Sequence, residues 1–114
     1  MRTYKSGDTV IIEVEMRDPN GIGGVDGIFK GIDNDSRFSV YGNGMNQPVA
    51  KVPLSYEVRD ETTPGVYALE SLVAYGTLGN RLDVPSNQLP HIRVRIESSH
   101  EDLKPPEFLS GRLR

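Results

Sequence analysis

Acidic and amide side chains cluster in two short loops of this 114-residue chain. Asp18 and Asn20 lie in "DPNGIGG", residues 18–24; Asp33, Asn34 and Asp35 lie in "DNDS", residues 33–36. Oxygen ligands at such spacing suit a hard cation, and calcium is the cation they would take. Asp18, Asn20, Asp33 and Asp35 are the candidate metal ligands if the two loops share one end, although the strand over residues 24–32 between them places the loops at opposite ends. An EF-hand template is not met. Asp18 and Asn20 occupy its first and third positions and Gly23 its sixth, but Ile22 and Phe29 fall where the fifth and twelfth ligands belong. A dinucleotide cradle also fails, because Asp26 replaces its third glycine and no helix follows. A proline-set turn accounts for every residue: Asp18 first, Pro19 presetting φ, then Asn20 and Gly21. Asn34-Asp35-Ser36 also spells a glycosylation acceptor, which has meaning only in a secreted eukaryotic chain.

Other chemistry is sparse. There is no cysteine, so disulfides, thiolate metal sites and a cysteine nucleophile are excluded. No serine stands in a Gly-x-Ser-x-Gly elbow. His91 falls at a strand entry and His100 in the tail, while Glu13 and Glu15 share one outward strand face. No catalytic residues and no obligate cofactor are expected, and the chain is read as non-enzymatic. The net charge of −3 lacks the basic field that nucleic acid requires. No apolar run approaches the length of a membrane span, so no membrane insertion is expected, and "MRTYKSGDTV" holds no signal peptide.

The elements that must position these residues read as strands. "DTVIIEVEMR", residues 8–17, alternates Val10, Ile12, Val14 and Met16 against Ile11, Glu13, Glu15 and Arg17. Residues 24–32 suggest a glycine-kinked strand carrying Val25, Ile28, Phe29 and Ile32. Residues 37–42 and 49–58 follow, the latter an edge or bulged strand because Pro53 lies within it. "GVYALESLVAYG", residues 65–76, is apolar on both faces and suits a central strand, although its composition also permits a helix. "HIRVRIES", residues 91–98, turns Ile92, Val94 and Ile96 inward. With "RTYK" as a possible first strand, the count is six or seven. The chain divides into a β domain over 1–97 and a Pro-containing tail or linker over 98–114.

Three pieces of this order resemble bacterial immunoglobulin-like and fibronectin type III-like domains: "DPNGI" at 18–22, "PGVYAL" at 64–69 and "AYGTLGN" at 74–80, within a match covering residues 7–97. The resemblance implies an all-β, immunoglobulin-like antiparallel β-sandwich of about seven strands. Tyr67 takes the place of the tyrosine whose hydroxyl bonds upstream backbone at the corner of such folds. Gly76 stands where the family has an Asp. The implied function is a non-catalytic binding, spacer or interaction module, set in a surface or multidomain protein outside the cell, with a protein or cell-surface ligand. A calcium-stabilised domain and a carbohydrate-binding or carbohydrate-processing accessory domain are the alternatives. Candidate contacts are Asn43, Met45 and Asn46 in the loop after residue 42, and Phe108 and Leu109 in the tail. Oligomers through a sheet edge or through that tail are a further expectation.

Overall fold

The computed structural model describes residues 1–97 and 108–113. His100, Pro105-Pro106 and the rest of 98–107, together with Arg114, lie outside the described residues.

The described chain is all-β, with one short 3₁₀ turn at Ser86–Gln88. The strands are β1 (Arg2–Tyr4), β2 (Thr9–Arg17), β3 (Ile22–Gly31), β4 (Arg37–Asn43), β5 (Val49–Glu57), β6 (Gly65–Gly76), β7 (Arg81–Asp83) and β8 (Arg93–Ile96). They form one sheet in the order β1-β8-β6-β3-β4-β5-β2, with β7 pairing β6, curled into a nearly closed barrel-like wall. All pairings are antiparallel except β1 on β8.

Alternation places the core as expected. Val10, Ile12 and Val14 on β2 and Val52 and Leu54 on β5 are buried, while Ile11, Glu13 and Glu15 face water. Phe38 stacks on Phe29 at 5.0 Å and on Tyr56 at 4.6 Å, and meets Tyr67 edge-on at 4.9 Å. Each such pair adds about 0.5–1.5 kcal/mol beyond its buried area.

Bulges explain two features. Opposite Ile28 and Phe29, the register on β6 jumps from Ser71 to Leu69 and skips Glu70. The inward phase of β6 therefore changes from Tyr67 and Leu69 to Leu72 and Ala74. That is why residues 65–76 look apolar on both faces; no helix forms there. On β3, the step from Ile22 to Val25 opposes only Gly76 to Ala74. Gly23 and Gly24 lie in this irregularity, so the strand begins at Ile22, earlier than residue 24, with a glycine kink. At its far end Ile32 departs from the sequence expectation: it lies beyond β3 and is 48% exposed.

Pro53 interrupts nothing on its β2 side, where it stands opposite Glu13 in an unbroken register. Val58 N–H donates to Asp8 O and Asp18 N–H to Pro48 O, so even-numbered residues of both strands turn their backbone groups toward each other. The Pro53 nitrogen therefore faces β4, where a single bridge, Tyr41 to Ser55, joins the strands. Gly42 accommodates the close approach: a Cβ there would lie 2.1 Å from Pro53 O.

Candidate functional site

Three loops meet at one end of the sheet. The first is the turn at 18–21, closed by Gly21 N–H to Asp18 O at 2.9 Å, with Asn20 N–H donating to Asp18 Oδ1 at 2.9 Å. Gly21 has φ +101°, and a Cβ there would sit 2.7 Å from Asn46 O, so both conformation and space demand glycine. The second loop, residues 43–48, docks on this turn through Ile22 N–H to Gln47 O, Asn46 N–H to Ile22 O and Gly44 N–H to Gly23 O. The third, residues 76–80, is tied in by Thr77 N–H to Gly21 O and by the Thr77 hydroxyl donating to Asn20 O. Asn80 Nδ2 donates to Asp18 Oδ2 at 3.2 Å.

This framework presents two large apolar side chains to water, Met45 (73% exposed) and Leu78 (75% exposed). Met45 and Asn46 form the middle of a turn closed by Gln47 N–H to Gly44 O, and both are left-handed, with φ 55° and 62°. Such a turn suits Asn-Gly; a methionine in its first central position costs about 1–2 kcal/mol. Asn43 Oδ1 accepts from Met45 N–H at 2.7 Å and holds the turn. Asn43, Met45 and Asn46 are exposed together, whereas Gly44 between them is buried against Ile22.

The acidic loops do not meet. Asp18 and Asn20 precede β3 and Asp33 and Asp35 follow it, so the ten residues of β3 separate the two pairs, about 30 Å of extended chain. Asp18 already receives bonds from Asn20 and Asn80. At the far end Asn34 is structural: its Oδ1 accepts from Ser36 N–H at 2.8 Å, and its amide packs against Gly31 and Gly65. Asp33 and Asp35 are exposed. No group of three or more His, Asp or Glu side chains is arranged for a metal ion among the described residues.

That far end holds an open cleft of about 500 Å³ lined by Arg37, Ser39, Tyr56, Arg59, Thr62 and Tyr67, among others. Several of its polar groups are already engaged. Tyr67 Oη donates to Thr63 O at 2.5 Å, Tyr56 Oη lies 2.7 Å from Thr62 Oγ1, and Arg37 pairs with Glu70 at 3.1 Å. Burial pushes the Tyr67 phenol above its ordinary pKa, with Ser36 opposing and Tyr56 adding to the rise. The tyrosine expected at the corner thus makes its upstream backbone bond, and Leu69 two residues later is buried.

The other sequence candidates are dispersed. His91 is exposed, and Glu13 and Glu15 stand on the outer face of β2. Phe108 and Leu109 are each 87% exposed. Sequence reasoning missed Thr77 and Asn80, which join the loop cluster, and the exposed Leu78 beside them. The only available signal was "TLGN", which announced a turn and said nothing of its partners.

No protein-family model matches the chain, and neither the curated proteins nor the solved structures contain a match to it.

Proposed function

We propose that the chain is an immunoglobulin-like sandwich serving as a non-catalytic interaction module, with the loop end around Met45 as its contact surface. The strand order supports the sandwich reading. β2 and β5 pair along their whole length, β8, β6, β3 and β4 pair in succession, and a single bridge, Tyr41 to Ser55, joins the two groups, which is where a sandwich would divide the sheet. The bond from the Tyr67 hydroxyl to Thr63 O near the start of β6 supports the same reading, because a tyrosine in such sandwiches bonds upstream backbone in this way.

One observation carries the functional reading: Met45 is held in a left-handed conformation and 73% exposed, at the tip of a hydrogen-bonded loop cluster. Strain of this kind persists where the surroundings over-determine it, and it concentrates at binding surfaces. A methionine adapts to an apolar partner surface, and pre-ordered loops reduce the entropy lost on binding. The ligand class is a protein or another cell-surface molecule with an apolar patch, in a surface or multidomain setting.

A photo-crosslinking residue introduced at position 45 tests this in the source cell. Position 45 should capture a discrete partner that the same probe at position 33, on the opposite end, does not. Identical products from both positions, or none from position 45, would remove the proposal.

A further inference from the structure

The sheet has one long free edge. β2 ends the strand order and pairs only with β5 among the described residues. Its even-numbered backbone groups turn toward β5, so the N–H and C=O groups of Thr9, Ile11, Glu13, Glu15 and Arg17 point outward. Long edges are normally blunted by brevity, Pro, bulges or charged side chains, Lys above all, and the charges here are the acids Glu13 and Glu15 with Arg17 at the end. This one has nine residues, no Pro and no Lys.

Beside its second half runs a groove of about 430 Å³ between β2 and the β7 segment. Its apolar lining includes Val14, Met16, Leu72, Leu82 and Val84. Leu72 and Val14 are buried at its base, and Leu82 is 52% exposed. A free backbone edge over an apolar floor is the arrangement that takes an added strand.

Charge decides which strand. A second β2 would set Glu13 and Glu15 against the same acids, since opposed like charges are unfavourable across strands. The complementary segment lies in the chain itself. "FLSGRLR", residues 108–114, has no proline and alternates: Leu109 and Leu113 fall on one face, Phe108, Ser110 and Arg112 on the other. Arg112 and Arg114 are spaced two apart, as Glu13 and Glu15 are. Its described apolar side chains are not covered by their own domain: Phe108, Leu109 and Leu113 are 87%, 87% and 99% exposed.

We infer that residues 108–114 of one copy add as a strand to β2 of a second copy, Leu109 and Leu113 entering the groove and the arginines facing Glu13 and Glu15. Reciprocal exchange closes the pair as a two-fold dimer.

Sedimentation velocity on the full chain tests it. The wild type should self-associate with concentration. Glu13→Lys with Glu15→Lys, and separately Arg112→Glu with Arg114→Glu, should each weaken association about ten-fold or more. All four substitutions in one chain should restore it. Leu109→Asp, at a side chain 87% exposed, should weaken association without altering the melting of the domain. A monomer at every concentration, including one with the tail seated on its own β2, would overturn the inference. So would a dimer indifferent to both charge reversals, or a four-fold variant as weak as the doubles.

Discussion

Asn80 and Asp18 close over Gly76. Asn80 Nδ2 donates to Asp18 Oδ2 at 3.2 Å, and a Cβ on Gly76 would lie 2.2 Å from Asn80 Oδ1 and 2.5 Å from Asp18 Oδ2. The two side chains occupy, from either side, the space a side chain at position 76 would need, so the glycine and the contact depend on each other.

This relationship separates two glycine substitutions. Gly76→Ala meets only side-chain ends, which can swing aside. It should cost about 1 kcal/mol, the usual worth of a lost hydrogen bond. Gly21→Ala meets backbone, Asn46 O at 2.7 Å, and imposes a left-handed alanine. It should cost about 2–4 kcal/mol from strain and overpacking together. Urea unfolding of both variants checks the order; equal losses would mean that the 43–48 loop yields as readily as a side chain.

The Tyr67 corner gives an alkaline signature. Burial favours the neutral phenol in the folded chain, so its folded pKa lies above the ordinary 10.0. The stability from this group is fully present below pH 10.0 and is lost as pH rises through the folded pKa. Tyr67→Phe removes the bond to Thr63 O and should lower stability at neutral pH by about 1–2 kcal/mol. It should also flatten the decline above the ordinary phenol pKa. Unfolding free energies of both proteins across the alkaline range test the sign; parallel curves would mean that the phenol titrates normally.

Much of the fold was legible because alternation is a local signal. Val10, Ile12 and Val14 on β2 and Val94 and Ile96 on β8 declared their inward face directly. Tyr67 was legible because its bond reaches only four residues back. The phase change in β6 showed in the sequence only as a strand apolar on both faces; the bulge at Glu70 that causes it arises from pairing with β3 and could not be located from residue types. The loop cluster was hidden for a similar reason. Asp18, Asn46 and Thr77 are distant in sequence, and only the antiparallel order of β3, β4 and β6 brings them together. Met45 stood out as an apolar residue in a polar loop, but its left-handed backbone did not.

Calcium should leave the protein unchanged. The four candidate ligands are split between the ends of β3, and the Asp18 carboxylate is occupied by Asn20 and Asn80. A cation held by the native state alone would raise the melting temperature with concentration. Melting curves in calcium and in chelator should therefore superimpose. A reproducible rise in calcium that Asp18→Asn abolishes would restore a metal role for the loop end.

Met45 offers the sharpest separation of stability from function. Glycine adopts the left-handed conformation without the Cβ penalty, so Met45→Gly should stabilise the fold by about 0.5–1 kcal/mol, offset in part by the greater freedom of the unfolded chain. Asn46→Gly should gain less, because asparagine already tolerates this conformation. If the methionine is retained for contact, Met45→Gly should also reduce capture of the partner by a crosslinker placed at the neighbouring Leu78. Thermal melts and crosslinking yield, measured on the same preparations, should then move in opposite directions. A stabilised variant with undiminished capture would locate the contact elsewhere on the loop end.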